Sequence, residues 1–323
     1  MESDDDQDFL LDEEFEGEDV EEPNVDESTS CVWSRNMDGI FIRSIDWNKP
    51  KNTGIQVDVS TLYTPLDIFR LFFTDSLIEH IVNETNRYAN LCISKLPENK
   101  QIVARKQWKP LTIEEFYKYL SALLFSGIVQ LKSWKRYWSD NEQGQIWMKN
   151  LFHFKRFKQI TKYLHFDNND TAHPSDPLGK IRTPYNYLRL KFQQLYIPTQ
   201  HVVIDEGIIP FKGRVPRLRQ YIPRKPHSTG VKYWMLADSN SYLWYFEIYT
   251  GKDRKKNPAK YVHGSTFTLI RQIESKLPKG NYVFYFDNYF ASERCCMFLH
   301  QQGRSVVCTH KNNGIFKTLS KVN

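Results

Sequence analysis

Hydrophobic residues recur at helical spacing through most of residues 61–198. The first predicted helix begins at Pro65, because proline is favoured as the first residue of a helix. A second helix follows the capping-box sequence Thr112-Ile113-Glu114-Glu115, and a third lies within 152–164. Residues 61–198 are therefore predicted to be mainly helical.

After residue 198, short runs rich in β-branched and aromatic residues replace the helical pattern. The predicted order is β, β, β, α, β, α, β. Both the first and the fourth strand are predicted to end on an aspartate, at Asp205 and Asp287. The strands are predicted at 201–205, 231–237, 243–249, 282–287 and 305–309, and the helices at 265–277 and 292–302. The pattern as a whole indicates the α+β class.

The two strand-terminal aspartates are candidate metal ligands. Two carboxylates held side by side can bind the pair of divalent cations used for in-line phosphoryl displacement, and Mg²⁺ prefers such oxygen ligands. A single aspartate after a strand more often starts a turn, so the argument depends on the pair. We expect Asp205 and Asp287 to lie on adjacent strands.

Charge is divided unevenly along the chain. Residues 1–30 contain 15 Asp or Glu and no Lys or Arg, so against an overall charge of +6 the rest of the chain carries +21. The acidic stretch is predicted to be a disordered tail, and 31–60 an irregular linker. A basic body favours a polyanionic partner, with nucleic acid ahead of a membrane surface.

Several classes of protein do not fit the sequence. The 323 residues predict about two structured units, and the longest apolar run, 119–131, is shorter than a membrane span needs. Five scattered cysteines without a Cys-x-x-Cys pair indicate a reducing compartment and no zinc site. The sequence Gly251-Lys252-Asp253 lacks the P-loop pattern, so no nucleotide cofactor is expected.

Four motifs in this order resemble the core of the piggyBac transposase family. They are Ile204-Asp205-Glu206, Phe211-Lys212-Gly213-Arg214, Tyr221-Ile222-Pro223-Arg224-Lys225-Pro226 and Phe286-Asp287-Asn288-Tyr289-Phe290-Ala291-Ser292. The resemblance, which spans about 63–309, implies an RNase H-like mixed-sheet core at 199–309. It also implies a helical DNA-binding and dimerisation domain at 61–198, and hence a homodimer.

The implied chemistry is Mg²⁺-dependent cut-and-paste DNA transposition at TTAA targets. Asp205 and Asp287 occupy the positions of the first two catalytic aspartates of the family. The third family aspartate, in a Gly-Gly-Val-Asp-type segment, has no counterpart here, since Glu293 is the one acidic residue after Asp287. Residues 310–323 would then be the start of a truncated family insertion region.

We therefore expect a transposase-derived protein that binds double-stranded DNA in the nucleus without cutting it. Two alternatives remain open at this point. The chain could represent part of an active transposase, or an interaction protein whose acidic tail and aromatic body bind partners other than DNA. DNA cleavage would distinguish an active transposase from the expected protein that does not cut. DNA binding would distinguish both of these from the interaction protein.

A basic segment follows Asp205 directly and is the candidate DNA-phosphate contact. A solvated basic loop is its alternative explanation. The positive residues are Lys212, Arg214, Arg217, Arg219, Arg224 and Lys225. A second segment, 132–138, alternates cations with aromatics, which suits either base stacking or a helical core that contains Trp134 and Trp138.

Overall fold

The structure is a computed structural model, and it describes most of the chain between residues 53 and 309. The described ranges are 53–140, 144–173, 176–213, 215, 218–223, 225–251 and 265–309. The predicted acidic tail at 1–30, the first part of the linker and the segment 310–323 lie outside the described residues.

The first part of the described chain is built from helices. They are α1 Pro65–Phe72, α2 Asp75–Ser94, α3 Glu98–Gln107, α4 Ile113–Ile128, α5 Ile146–Leu151, α6 Phe154–Tyr163 and α7 Arg182–Gln194, with 3-10 turns at Val59–Thr61 and Trp134–Trp138. The first predicted helical run is divided into α1 and α2, and the third corresponds to α6. None of the helices in the described ranges has both the length and the apolar character needed to cross a membrane.

Local hydrogen bonds explain where two of the helices begin. Thr64 caps α1 in a reciprocal arrangement: its hydroxyl accepts from the Asp67 amide at 3.2 Å, and its own amide donates to the Asp67 carboxylate at 2.8 Å. The capping box predicted at Thr112 is only half formed. Thr112 accepts from the amide of Glu115 at 3.2 Å, but the Glu115 carboxylate binds Arg156 instead.

The second part of the chain forms a mixed six-stranded sheet. Its strands are β3 His201–Pro210, β4 Arg219–Tyr221, β5 Thr229–Asp238, β6 Leu243–Ile248, β7 Val283–Phe286 and β8 Ser305–Cys308. The strand order is β4-β5-β3-β7-β8, and β6 pairs with β5 next to β4. The β3/β7 and β7/β8 pairs are parallel and the others antiparallel. The short strands β1 Gly54–Ile55 and β2 Tyr196–Ile197 form a separate ribbon.

Two sequence expectations about the strands were wrong. Strand β3 does not end at Asp205 but continues to Pro210, because its second half stays paired with β5. Strand β4 was not predicted at all. Its three residues, Arg219–Tyr221, are too few to show an alternating pattern.

Helices cover one face of the sheet and part of the other. Val202 and Ile204 of β3 are buried on the face that packs against α8 Ser265–Glu274 and α9 Glu293–Gln301. On the opposite face, a smaller cluster joins Tyr185 of α7 to residues of β5 and β6. Because side chains alternate along a strand, the intervening β3 residues Val203 and Asp205 belong to this second face.

A buried aspartate joins the segment before β3 to the β5–β6 turn. Asp238, at the end of β5, is 4% exposed. One carboxylate oxygen accepts hydrogen bonds from the Tyr196 hydroxyl at 2.8 Å and from the amide and hydroxyl of Thr199 at 3.1 Å each. The other oxygen accepts from the amides of Asn240 and Tyr242 at 3.0 and 3.1 Å. The β5–β6 turn and the entry to β3 are thus held by one side chain.

Replacing this carboxylate is expected to destabilise the whole fold. Asp238→Asn places an amide donor among groups that are themselves donors, so we expect the free energy of unfolding to fall by about 2–3 kcal/mol. Urea denaturation followed by circular dichroism measures the loss. Asp140→Asn, a change at an exposed carboxylate, is the control and should leave the urea midpoint unchanged. Equal midpoints for the two variants would contradict the network.

Candidate functional site

The strand register brings Asp205 and Asp287 side by side. Parallel pairing between β3 and β7 runs from His201 opposite Val283 to Ile204 opposite Phe286. The next positions on the two strands are Asp205 and Asp287. The expectation that the two aspartates lie on adjacent strands is therefore confirmed.

Each of the two carboxylates is oriented by a backbone amide. The amide of Glu206 donates to Oδ1 of Asp205 at 2.7 Å, and the amide of Tyr289 donates to Oδ1 of Asp287 at 2.9 Å. Asp205 is half-buried and Asp287 is exposed. The backbone thus fixes one oxygen of each aspartate at the rim of the sheet.

The neighbouring residue Glu206 belongs to the opposite face, where it stands across from Trp234 of β5. Its carboxylate lies 3.5 Å from the ammonium group of Lys225, which also donates to the Glu206 carbonyl at 3.1 Å. Burial raises the pKa of Glu206, and the positive charges of Lys225 and Lys232 oppose that rise. Burial lowers the pKa of Lys232, and the negative charge of Glu206 opposes that decrease.

The face that carries Asp205 is bounded by an aromatic ring. Tyr233 of β5 stands opposite Gly207 of β3, and its ring lies directly over the glycine. A Cβ atom at Gly207 would come within 2.4 Å of Cζ of Tyr233. Glycine two residues after Asp205 therefore allows the ring to lie against this part of the strand.

The two aspartates offer the oxygen ligands that Mg²⁺ prefers, but they are only two carboxylates. Asp205 and Asp287 supply carboxylate oxygens from two rigid strands. Across the described ranges, the structure contains no group of three or more His, Cys, Asp or Glu side chains arranged to hold a metal ion. The residues present thus fit part of a Mg²⁺ site.

The basic segment belongs to an antiparallel arm that extends past the end of β7. The arm consists of the second half of β3, strand β4, the first half of β5 and the described residues that connect these strands. Lys212 and Arg219 are exposed on it, whereas Lys225 is half-buried in its ion pair with Glu206. The other three predicted contacts, Arg214, Arg217 and Arg224, lie outside the described residues.

The aromatic segment 132–138 contributes to the helical core. The Trp138 indole donates to the Phe152 carbonyl at 2.8 Å, and its ring centroid lies 5.0 Å from that of Phe157. The Trp134 ring lies 4.7 Å from Phe157 as well. For Trp138 these contacts favour the core explanation over base stacking, whereas Trp134 is 39% exposed beside Phe157.

Sequence reasoning missed several residues around the aspartates. Glu206 and Tyr289 are part of the motifs that contain the two aspartates. Their positions one residue after Asp205 and two residues after Asp287 could have indicated that they contact these aspartates. Lys232 and Tyr233 gave no signal, because their roles depend on pairing between β3 and β5.

Comparison with known protein families gives one match that covers most of the chain. The family model described as Transposase IS4 matches residues 64–321. Among curated proteins, PiggyBac transposable element-derived protein 3 of Homo sapiens is 25% identical over 258 residues, covering 79% of this chain and 41% of that protein. PiggyBac transposable element-derived protein 2 of Homo sapiens is 26% identical over 251 residues, with coverages of 74% and 38%. The chain therefore spans about two fifths of the length of these relatives.

A solved structure shares the fold. The cryo-EM structure of a piggyBac transposase synaptic complex with hairpin DNA superposes with a TM-score of 0.71 and 22% sequence identity. The match covers 84% of this chain and 56% of that one. The mixed sheet and its helices thus have a counterpart in that protein.

The basic arm depends on a close approach between β5 and β3 at Gly230. A Cβ atom there would lie 2.1 Å from the Ile209 carbonyl oxygen, and a backbone atom cannot rotate away. We expect Gly230→Ala to lower the free energy of unfolding by about 1–3 kcal/mol in urea denaturation. Gly207→Ala should cost less, because its obstacle is the mobile end of the Tyr233 side chain.

Gly127 of α4 is the matched control for this substitution. A Cβ atom added at Gly127 would have no other atom within 4 Å, so Gly127→Ala should stabilise the helix by about 0.5–1 kcal/mol. If Gly230→Ala were as stable as Gly127→Ala, the close packing of the arm against β3 would be refuted.

Proposed function

Because the chain belongs to the piggyBac-type transposase family, we propose that it is a transposase-derived protein that binds double-stranded DNA. The basic arm contacts the DNA backbone, and Asp205 and Asp287 form the remaining part of a two-metal site. The single observation that carries the proposal is the register of β3 and β7, which puts the two aspartates at neighbouring positions next to the arm.

The finer architecture is part of the same proposal. The parallel strands β3, β7 and β8, with α8 and α9 on one face and α7 on the β5–β6 part of the other, support an RNase H-like core at 199–309. The helices of 61–198 form the DNA-binding and dimerisation domain, which makes the protein a homodimer. A nuclear location follows from the DNA-binding role.

The two aspartates would hold Mg²⁺, which in such sites stabilises the attacking and leaving oxygens of a phosphoryl transfer. The backbone amides of Glu206 and Tyr289 keep one oxygen of each carboxylate oriented. Glu293 does not complete the set, since it is the first residue of α9, whose side chains pack mainly on the other face of the sheet. With two carboxylates, the polypeptide binds Mg²⁺ weakly and does not cut DNA.

An active transposase is the second candidate function, and the length of the relatives favours it. The chain covers 41% of PiggyBac transposable element-derived protein 3 and 56% of the chain in the synaptic complex. A longer protein that contains these 323 residues could supply the third carboxylate from outside them.

DNA binding is tested by removing the exposed cations of the arm. Lys212→Ala combined with Arg219→Ala should weaken binding equally for unrelated duplex sequences, because phosphate contacts carry no base information. Each lost phosphate contact should make the log–log salt dependence shallower by about 0.9. Fluorescence anisotropy with labelled duplexes from low to moderate salt measures both effects.

A variant with the same net charge serves as the control. Arg271→Ala combined with Lys276→Ala removes two exposed cations from the region of α8, away from the arm. Equal losses in the two double variants would show that net charge rather than the arm attracts DNA. Absence of binding by the parent chain at low salt would replace the DNA proposal with the interaction-protein alternative.

The absence of cleavage is tested on the 323-residue polypeptide itself. A two-metal reaction tolerates little freedom in the position of either ion, so two carboxylates should give no nicking with Mg²⁺ or with the more permissive Mn²⁺. The assay uses DNA with piggyBac-type terminal repeats and compares the parent with Asp205→Ala. Cleavage present in the parent and lost in the variant would identify an active nuclease.

A further inference from the structure

We propose that Lys232 is a positioning residue for the candidate metal site. From the opposite face of the sheet, its ammonium group holds the two segments whose backbone amides orient Asp205 and Asp287. The inference rests on the proposed function, in which these two aspartates bind a divalent cation.

The first observation is the aromatic surrounding of the ammonium group. The Lys232 Nζ atom lies 4.5 Å from the ring centroid of Tyr289 and 5.8 Å from those of Trp234 and Tyr249. All three distances are within the range of a cation–π interaction. The rings come from β5, from the residue after β6 and from the loop after β7, so one cation joins three segments of the chain.

The second observation connects this cation to Asp287. Tyr289, the ring nearest to the ammonium group, is the residue whose amide donates to the Asp287 carboxylate at 2.9 Å. The next residue, Phe290, is 1% exposed and donates its amide to the Asp287 carbonyl at 3.2 Å. The loop is therefore held by the buried Phe290 on one side of Tyr289 and by the cation on the other.

The third observation connects the same cation to Asp205. Glu206 and Lys232 belong to the same face of the sheet, since Glu206 pairs with Trp234 and Ile208 pairs with Lys232. The amide of Glu206 orients Asp205 at 2.7 Å. Of the two residues whose amides orient the aspartates, Tyr289 thus contacts the Lys232 ammonium group, and Glu206 shares its face of the sheet and interacts with its charge.

Loss of the cation would affect both segments at once. Glu206 would keep Lys225 as a partner, but its half-buried charge would lose the second cation. Tyr289 would lose its cation–π contact, which is stronger when the cation is partly desolvated. The loop after β7 should then open more often, and the amide of Tyr289 should exchange faster with solvent.

Amide hydrogen exchange on the full chain tests the positioning role directly. Lys232→Met keeps the length of the side chain and removes the charge, and we expect the Tyr289 amide to exchange about tenfold faster. Lys232→Arg should restore most of the protection. The matched control is Lys276→Met, which removes a cation 5.1 Å from the Tyr245 ring, away from the aspartates, and should leave Tyr289 unchanged.

Mn²⁺ binding by calorimetry is the second measurement. Residues that orient metal ligands typically contribute about 10-fold or more to affinity, so Lys232→Met should bind Mn²⁺ about tenfold more weakly than the parent. Lys276→Met should match the parent, and Asp205→Asn should abolish the binding. Thermal unfolding of each variant shows whether it is folded at the temperature of the assay.

The outcomes separate the two proposals. If Lys232→Met leaves Tyr289 exchange unchanged, or if Lys276→Met accelerates it equally, the positioning role is overturned. If the parent shows no Mn²⁺ binding that depends on Asp205, the metal-binding part of the proposed function fails, while the exchange data still decide the positioning role. Faster exchange with unchanged Mn²⁺ affinity would also overturn the inference.

Discussion

Strand β3 has different neighbours along its length, and the rest of the site depends on where they change. Its first half pairs with β7 on one side and β5 on the other. Its second half, among the described strands, pairs with β5 only. Asp205 lies where the pairing with β7 stops, so it meets Asp287 at the end of that strand. Beyond this point β3 continues with β5 past the end of β7 and forms part of the basic arm.

Alternation along β3 assigns adjacent residues to different environments. Asp205 belongs to the face with exposed Val203, while Glu206 belongs to the face that contains the buried core. A half-buried carboxylate is unfavourable unless cations compensate it, and Lys225 and Lys232 do so here. The sheet therefore separates the polar groups open to a ligand from the charges that hold the strand ends in place.

The features that the sequence predicted are those that depend on local interactions. Thr112 starts a helix because its hydroxyl binds an amide three residues away. Glu115 was assigned wrongly because its partner Arg156 is 41 residues distant. The length of β3 was underestimated because charged residues such as Asp205 disfavour strands, and pairing with β5 overrides that preference. The order of the motifs suggested the pair of aspartates. The position of Lys232 near them could be recognised only from the tertiary structure.

The parallel pairing of β3 with β7 also sets the order in which the parts of the molecule can assemble during synthesis. The antiparallel strands β3, β5 and β6 are close in sequence and can pair as soon as they leave the ribosome. Strand β7 follows only after helix α8, and a parallel partner of this kind pairs late because a long loop must close first. A nascent chain therefore exposes the edge of β3 from His201 to Ile204, directly before Asp205, as an unpaired strand edge until β7 has been made.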